Sequence, residues 1–526
     1  MVLAIVASIA SAGGSRQTTA APGGPMPFTW VTWQIYPITA EHPFVVEYLN
    51  ETFNVDLQVW NVDSADYNTQ LNLLLATGQV PDFFRSFLDQ IDTYYNQGII
   101  APYAEETFRN SAPRAYRSFT ETISGFLNYH KKDGRLFAIP RGVNAPNGNP
   151  NPVVINSLWM KNVGKTNTPR TLNVQDESTY VYTSDIPRTL DQLEELVYLF
   201  ANNDPNRSGR KDTYGISTSA MSLVYGAFGF QRGQWNLVNG SLAYSSIQPE
   251  MKDALTVLAR WYRDGVIDPE FVTGENKGGN GQISHAFIEG RIGITTHAQW
   301  WAMDYGFRGN EALNYLQMAE INREAANSMV YGLPVTGPTG KAGLPRQNAI
   351  NNEVGYFGKQ VERQPEKMTK YFEMMEWLNL SLDNFYTVTY GKKGETWDYV
   401  NGVPTLFPDF IDFRYVASHG GHNQFQRMQT PEFTTLTPQR FNVYMTTVGL
   451  NTHTSGSFPY ESLLILPTPS TSNYKTELDR LENMAYIDII TGARPISYFD
   501  QFVTEWRRIG GDILTREANE WYNSNR

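Results

Sequence analysis

The stretch VDLQVWNVDSADYNTQLNLLLATGQVPDFFRSF, residues 55–87, contains two predicted strands separated by one predicted helix. Apolar and polar residues alternate from Val55 to Val62, which is the period of a half-buried strand. From residue 65 to 78 the apolar residues recur at helical spacing and end at Gly78, a residue favoured just after a helix. PDFFRSF then supplies the second strand. This order predicts a βαβ unit with parallel strands.

The same alternation of strands and helices continues on both sides of this unit. FTWVTW (28–33) and HPFVVEYLNETF (42–53) precede it as a strand and a helix. Further along, PEMKDALTVLARWYRDGVI (249–267) has the apolar spacing of a long helix, and RIGITTH (291–297) is typical of a buried strand. Thr189 is placed to cap another helix. We therefore predict an α/β protein in which helices flank β-sheets.

Two breaks rich in Pro, Gly and Asn interrupt this rhythm, NAPNGNPNP (144–152) and YGLPVTGPTGKAGLP (331–345). Such segments are typical of loops, and we interpret both as crossings between two lobes, each a β-sheet flanked by helices. On this interpretation lobe 1 comprises residues 28–150 plus about 334–400, and lobe 2 comprises residues 151–333 plus about 401–526.

Composition limits the function classes that are open to this chain. Its 526 residues exceed the size of a single core and predict more than one domain. A net charge of −11, with no cluster of Lys and Arg, argues against nucleic-acid binding, which needs concentrated positive charge. Cysteine is absent, which excludes disulfides, thiolate metal sites and cysteine nucleophiles together.

The amino terminus is predicted to be an export-signal remnant followed by a linker, residues 1–27. An apolar run from Val2 to Ile9 leads to Ala10-Ser11-Ala12, an A-x-A cleavage pattern, and then to a segment rich in Gly, Ser, Thr and Pro. No Lys or Arg precedes Arg16, so the basic start of a typical signal is missing. A disordered terminus is the alternative.

The loop DPNRSGRKDTYGIS, residues 204–217, places oxygen-bearing side chains at alternating positions. This is the opening of an EF-hand-type calcium loop, which uses positions one, three and five, a backbone carbonyl at seven and a ligand at nine. Position twelve, where an EF-hand carries Glu, is Gly215. The pattern predicts a truncated structural Ca²⁺ site, and an Asx-rich turn is the alternative. Its ligands would be Asp204, Asn206, Ser208, the Arg210 carbonyl and Asp212.

The sequence contains no recognisable catalytic motif. NVGKT, residues 162–166, imitates the end of a phosphate-binding loop, but Trp159 occupies the position of the required glycine. His419 and His422 in SHGGH have the side chains for a metal site but lie on a glycine-rich loop. The nucleophile elbow G-x-S-x-G and the zinc motif H-E-x-x-H are both absent. We therefore expect a protein that is not an enzyme.

Several segments together resemble the extracytoplasmic solute-binding proteins of ABC importers, family 1, and among them the binders of alginate and related oligosaccharides. The segments occur in matching order across most of the chain: YNTQLNLLLATGQVPDFF (67–84), DGRLFAIPR (133–141), 187–217, 249–271 and 492–522. The resemblance implies a two-lobed periplasmic-binding-protein fold with the ligand cleft at the hinge. It also implies an oligosaccharide ligand, a membrane ABC permease as partner, an extracytoplasmic monomer, and no nucleic acid.

The resemblance also bears on individual residues. In alginate binders the loop equivalent to 204–217 holds a structural calcium, although Thr213 stands where those proteins carry a further Glu. THAQWW is similar to a family segment whose Trp stacks on sugar, which makes Trp300 the strongest single ligand candidate. The second stacking Trp of the alginate binders falls near Met428, which argues against alginate itself.

Sugars offer apolar ring faces and hydroxyl rims, so their sites combine aromatic rings with polar side chains. We expect cleft residues at strand ends and crossings, with a core position as the alternative for each aromatic. Two other functions remain open: a binder of peptides or other small solutes, and an extracellular carbohydrate-active enzyme. The predicted ligand-binding residues are Trp33, Tyr36, Phe137, Arg141, Trp235, Trp300, Trp301, Tyr356, Phe425 and Arg427.

Overall fold

A computed structural model of the chain provides the structure. It describes residues 24–34, 36–63, 66–122, 125–141, 153–166, 185–275, 284–297, 313–345, 353–400, 403–410, 413–421, 425–432, 462–464 and 467–524.

The two larger sheets contain ten strands in the described part of the chain. They are β1 (Met26–Gln34), β2 (Val55–Asp63), β3 (Phe83–Phe87), β4 (Ile100–Ala101), β5 (Ala138–Ile139), β6 (Val153–Asn156), β7 (Tyr214–Ile216), β8 (Ile292–Thr295), β9 (Met329–Gly332) and β10 (Glu353–Gly358).

The first sheet confirms the parallel strands predicted from residues 28–87. Its order is β2-β1-β3-β10-β4, and β5 also pairs with β10. Strands β1, β2 and β3 run parallel, whereas β10 is antiparallel to β3, β4 and β5. As a result β10 begins at the edge where β3 and β5 end.

The second sheet has the order β9-β6-β8-β7. Here β6 is antiparallel to both β9 and β8, and β8 is parallel to β7. Parallel pairing requires the long crossover connection that separates residues 216 and 292, so the ends of β7 and β8 meet at one edge of the sheet.

Helices cover these sheets, as the sequence predicted. In chain order they are Phe44–Phe53, Tyr67–Ala76, Ile91–Asn96, Glu105–Ser111, Pro113–Thr122, Ser157–Asn162, Leu190–Asn202, Met221–Ala227, Pro249–Arg263, His285–Ile288, Leu313–Ile321, Arg323–Asn327, Pro365–Leu380, Leu382–Tyr390, Phe413–Ser418, Thr471–Thr491, Tyr498–Trp506 and Asp512–Ser524. Three two-stranded hairpins are Lys131–Lys132 with Arg135–Leu136, Trp235–Val238 with Ser241–Tyr244, and Trp397–Val400 with Val403–Leu406.

Local signals place several of these ends. Thr189 and Gln192 form a reciprocal capping box at the start of the helix Leu190–Asn202. Gly78 adopts a left-handed φ of 77° just after the helix Tyr67–Ala76. Within the described residues no helix is both long and apolar enough to cross a membrane.

Two large hydrophobic cores form, one on each sheet, and a smaller cluster packs beside the second. The first core draws its buried residues from positions 28–139 and 354–428, and the second from 153–344 and 478–518. Val335 lies in the second core, whereas Phe425 and Met428 lie in the first. The lobe boundaries near residues 334 and 400 stay a prediction.

Close packing joins the segment after residue 334 to the second core. Thr336 forms a backbone bridge with Thr189, and Gly337 lies so near the Ala227 carbonyl that a Cβ would meet its oxygen at 1.9 Å. The glycine-rich segment 331–345 is therefore integral to the second core, and glycine is needed there for close approach rather than for a hinge.

Candidate functional site

A cavity of about 420 Å³ opens at the carboxyl ends of β7 and β8. Ligand sites of α/β proteins occur outside the carboxyl ends of parallel strands, and this cavity lies there. We call it the hydroxyl pocket. Thr218, Ser219 and Thr296 follow the two strands, Ser222 lies at the start of the next helix, and all four carry hydroxyl groups. It is lined by Thr218, Ser219, Ser222, Phe271, Val272, Thr273, Glu275, Thr296, His297 and Pro345.

A buried carboxylate organises the wall of this pocket. Glu275 accepts hydrogen bonds from the Ser219 amide at 2.7 Å and the Ser219 hydroxyl at 2.5 Å. The hydroxyls of Ser284 and Thr295 each donate to it at 3.1 Å. A buried charge is costly unless it is hydrogen-bonded, and these four donors, none of which is an arginine or lysine, stabilise the carboxylate.

The hydroxyls nearer the opening are also held in place. Thr296 donates its hydroxyl to the Ser219 carbonyl at 2.7 Å, and it lies 3.1 Å from the hydroxyl of Ser222. Burial lowers the pKa of His297, while the negative charge of Glu275 opposes that shift. The pocket thus offers fixed hydroxyls and an imidazole whose neutral form is favoured by burial.

A second polar group lies at the matching edge of the first sheet, where β3 and β5 end and β10 begins. We call it the arginine cluster: Arg85, Arg141, Arg427 and Glu353. Arg85 donates to Glu353 Oε1 at 2.6 Å, Arg427 donates to Oε2 at 2.9 Å, and Arg141 also donates to Oε2.

Burial differs within the arginine cluster. The side chains of Arg85 and Glu353 are 2% and 8% exposed, whereas those of Arg141 and Arg427 are 17% and 18% exposed. Burial and repulsion from the neighbouring guanidinium groups lower the pKa of Arg141 to about 9, against the attraction of Glu353. Burial, again with repulsion from Arg85, lowers the pKa of Arg427. The pKa of Glu353 is lowered because the three arginines outweigh its burial.

Four of the predicted ligand aromatics belong to the cores. The rings of Phe137 and Phe425 are buried against Tyr95 and Trp30, at centroid distances of 5.3 Å each. Tyr356 is fully buried in β10, which is paired on both sides. Trp235 packs on Tyr244 within a hairpin of the second core, at 5.2 Å. This burial corresponds to the core position that was the alternative for each aromatic, and their role as sugar-stacking rings stays a prediction.

The remaining aromatic candidates are placed only in part. Trp33 lies in β1 opposite Val62, but its side chain is outside the described residues, as are Trp300 and Trp301 entirely. Tyr36 is half-buried just beyond the end of β1. His297, the last described residue before Trp300, lines the hydroxyl pocket. His422, the partner proposed for His419, also lies outside the described residues.

The loop 204–217 brings its predicted calcium ligands together. Asp212 Oδ1 accepts from the Asn206 amide at 3.0 Å and from the Ser208 hydroxyl at 2.9 Å. Asp204 accepts from the amides of Ser208 and Gly209 at 2.9 and 3.0 Å. The donor set of two carboxylates, an amide, a hydroxyl and a carbonyl suits Ca²⁺, which prefers six to eight oxygen ligands.

Two features of this loop reduce its fit to calcium. The Arg210 guanidinium lies 3.3 Å from Asp212 Oδ2, so a cation already occupies that side of the carboxylate. Thr213 is buried and donates to the Phe200 carbonyl at 2.9 Å, so it does not replace the glutamate of the alginate binders. In the described part of the chain, no three His, Asp or Glu side chains are grouped as metal ligands.

Sequence reasoning named Arg141 and Arg427 as ligand candidates but did not name the residues that adjoin them in the structure, Arg85 and Glu353. Arg85 had a detectable signal, because a charged residue within the apolar run PDFFRSF needs a buried partner. Glu353 is 268 positions away along the chain, so nothing in the sequence pairs the two. Glu275 and its hydroxyl donors were missed for the same reason.

Curated relatives cover most of this chain at low identity, and no protein-family model matches it. "Lipoprotein LipO" of Bacillus subtilis (strain 168) is 21% identical over 487 residues, which span 90% of this chain and 87% of that protein. An uncharacterized protein in the butB 5′ region of Niallia circulans is 22% identical over 275 residues, 51% of this chain and 98% of that protein.

Solved structures match over nearly the whole length. The alginate-binding protein AlgQ2, in a crystal structure without calcium ion, is 16% identical over 95% of this chain and 98% of that chain, with a TM-score of 0.66. An extracellular solute-binding protein from Bifidobacterium longum subsp. infantis is 14% identical, covering 97% and 100%, with a TM-score of 0.65. An EF-hand mutant of the S. pneumoniae ABC-transporter substrate-binding protein FusA with fructo-nystose is 13% identical, covering 95% and 99%, with a TM-score of 0.63.

These likenesses confirm the resemblance found in the sequence motifs: the chain has the two-lobed α/β fold of the extracytoplasmic solute-binding proteins of ABC transporters.

Proposed function

We propose that this protein is an extracytoplasmic solute-binding protein that captures an oligosaccharide between its lobes and delivers it to an ABC importer. The observation that carries the proposal is the hydroxyl pocket at the carboxyl ends of β7 and β8. Among the similar structures, AlgQ2 is named an alginate-binding protein, and FusA is described in complex with fructo-nystose.

The chemistry of the pocket suits a sugar. Hydroxyl and imidazole groups both donate and accept hydrogen bonds, as sugar hydroxyls do. Ser219, Ser222 and Thr296 are held by neighbouring groups in the structure, so little rotamer freedom is lost when a sugar binds. Pro345, the last described residue before the chain returns to the first sheet, lines the same cavity, which supports a ligand position beside the connection between the lobes.

Two assignments extend this proposal. The first lobe comprises 24–141 with 353–432, and the second comprises 153–345 with 467–524, following the two cores. Closure of the lobes around the ligand is expected from hinge motion at the crossings. Export from the cytoplasm is supported by the relative named as a lipoprotein. The proposal also includes a membrane permease as the partner and a monomeric binding protein.

A binder fits the pocket better than a glycosidase does. Glycoside hydrolysis commonly uses two carboxylates that flank the scissile bond. Among the side chains lining the hydroxyl pocket, Glu275 is the one carboxylate, and four donors already engage it. The structures named above are likewise binding proteins.

Structural calcium in the loop 204–217 is part of the proposal. The convergence of Asp204, Asn206, Ser208 and Asp212 supports it, and the description of FusA refers to an EF-hand. The loop would hold the end of the helix Leu190–Asn202 against β7, a role in stability rather than in ligand contact.

The test is a calorimetric titration of the full chain against a panel of neutral and acidic oligosaccharides, with short peptides as the competing class. Micromolar or tighter binding of a glycan that is recovered intact is expected. Binding of peptides alone would replace the function with solute binding of another class, and a shortened glycan would indicate an enzyme.

A further inference from the structure

We propose that the hydroxyl pocket presents hydrogen-bond acceptors to its ligand, so that it selects an uncharged sugar unit whose free hydroxyl groups donate to it and discriminates against acidic sugars. This inference rests on the proposed function and adds the substrate class. The acceptors are the hydroxyl oxygens of Thr218, Ser222 and Thr296, which line the pocket.

The first argument is the direction of the hydrogen bonds in the buried wall. The carboxylate of Glu275 accepts from the hydroxyls of Ser219, Ser284 and Thr295. A hydroxyl group carries one proton, so a proton donated to Glu275 is not available to a ligand. The hydroxyls of Ser219 and Thr295 also lie 3.1 Å from each other, and either donor arrangement keeps both protons within this group. The wall therefore directs its donors into the protein.

The hydroxyl groups nearer the opening show the same direction. Thr296 donates its proton to the Ser219 carbonyl at 2.7 Å. Since that proton is used, the hydroxyl of Ser222, 3.1 Å away, is the donor in its hydrogen bond with Thr296. Thr218 donates its hydroxyl proton to the Phe271 carbonyl. Three hydroxyl oxygens of the lining thus keep lone pairs, while their protons point at protein oxygens.

Reversing these hydroxyl groups toward a ligand would be costly. Ser222 and Thr296 are 9% and 7% exposed, so their partners have little access to water as a substitute donor. A buried acceptor that loses its donor destabilises the protein by more than an ordinary hydrogen bond contributes. A ligand that donates hydrogen bonds leaves the network intact, whereas a ligand that only accepts them must break it.

Charge acts in the same direction. Glu275 is 4% exposed and lines the pocket, so an acidic sugar would bring a second negative charge toward this wall. Arg291, one residue before β8, is paired with Asp268 and Glu270. Burial lowers the pKa of His297 against the attraction of Glu275, which favours the neutral imidazole. The electrostatics of the described lining residues therefore disfavour an anionic ligand.

The test is calorimetry of the full chain with malto-, xylo- and galacto-oligosaccharides, and with oligogalacturonates paired with their carboxyl-reduced neutral counterparts. A neutral member is expected to bind tightest, and each acidic member roughly 10-fold or more weakly than its neutral counterpart, because like charges repel. In the tightest ligand, fluorine then replaces one hydroxyl at a time. Fluorine cannot donate, so affinity is expected to fall roughly 5- to 100-fold at the positions held by the pocket, the cost of unsatisfied acceptors.

Variants place this effect at the pocket. Ser222→Ala and Thr218→Val each remove one acceptor, so the affinity difference between the hydroxyl and fluorinated ligands is expected to shrink at the matching position. Thr256→Ala, at an exposed helix position, is the control and is expected to keep the difference. Glu275→Gln removes the negative charge and is expected to narrow the difference between neutral and acidic members. Its control is Glu289→Gln, which changes an exposed acidic residue of the same lobe.

The outcomes separate this inference from the proposed function. If an acidic member binds tightest, or if fluorination is tolerated at every position, the inference fails while the proposed function stands. The same holds if Ser222→Ala and Thr218→Val both keep the full difference between hydroxyl and fluorinated ligands. If no glycan binds, the proposed function fails and the inference fails with it. Where a variant does not fold, as its melting curve shows, fluorination of the ligand of the wild type decides.

Discussion

The carboxyl edges of the two sheets are built with opposite electrostatics. At the first sheet, three arginines converge on Glu353. At the second, Glu275 is stabilised by one amide and three hydroxyl groups with no cation among them. One carboxylate is therefore held by guanidinium groups, and the other by neutral donors. In this fold, ligand sites lie at the carboxyl ends of the strands. The comparison shows that the polar groups at this edge can differ in charge between the two sheets.

Arg85→Ala is expected to have the largest effect on this comparison. The side chain of Arg85 is 2% exposed, and its loss leaves Glu353 buried with fewer partners. Breaking a buried ion pair by removing one partner costs about 3–5 kcal/mol of unfolding free energy. Urea unfolding followed by circular dichroism measures it, and Arg141→Gln is the milder control. A loss below that of Arg141→Gln would show that Arg85 is not the base of the cluster.

Calcium is expected to stabilise the second lobe without altering either edge. An ion that binds the native state alone adds about 2.7 kcal/mol at a hundredfold excess over its Kd. A chelator should therefore lower the melting temperature of the wild type but not that of Asp204→Ala. Glycan affinity should be the same for the calcium-loaded protein and the variant. Identical melting curves with and without chelator would remove calcium from the loop.

Glu275→Gln tests the edge of the second sheet, where neutral donors hold the carboxylate. The glutamine side chain keeps one acceptor oxygen, but its NH₂ group faces hydroxyl groups and a backbone amide. In the wild-type protein these groups donate hydrogen bonds to the carboxylate. We expect a loss of about 1–3 kcal/mol of unfolding free energy, the cost of an unsatisfied buried polar group. Thermal melting measures this loss of stability. The control is Glu270→Gln, which changes an exposed acidic residue nearby. An equal loss in both variants would contradict a special role for Glu275.

Ser222→Ala is expected to have the smallest effect. Its hydroxyl lines the hydroxyl pocket and lies 3.1 Å from that of Thr296. Loss of one neutral hydrogen bond to a sugar corresponds to about 0.5–1.5 kcal/mol of binding free energy, with little change in stability. Calorimetry with the glycan found in the panel measures it, and Thr256→Ala, on the outer face of a helix, is the control. Unchanged affinity would place the ligand away from this wall.

The local part of the fold could be predicted because its signals are local. The alternation in 55–62, the capping box at Thr189 and the left-handed Gly78 act over a few residues, and the structure reproduces each of them. The lobe boundaries have a weaker local signal, because Pro and Gly mark loops as well as close approaches. Gly337 is a glycine for packing against Ala227, not for a hinge.

The candidate site shows the same division. Aromatic residues at strand ends were predicted to contact ligand, yet Phe137, Trp235, Tyr356 and Phe425 are buried. Ring type and position along the chain do not reveal which face of a strand or turn points inward once neighbouring strands are in place. Arg141 and Arg427 were both named as ligand-binding candidates, which stays a prediction, and their shared partner Glu353 was not foreseen.

The sequence by itself determined the strands and helices, the α/β class, the lack of cysteine chemistry and the order of oxygen ligands in the loop 204–217, because each depends on residues close in the chain. Only the tertiary structure decided which charges meet. Arg85 and Glu353, and Ser219 and Glu275, are joined by sheet pairing and crossover connections across 268 and 56 positions. Such contacts form because burying the sheet faces brings distant segments together, and the polar groups at the edges must then satisfy one another.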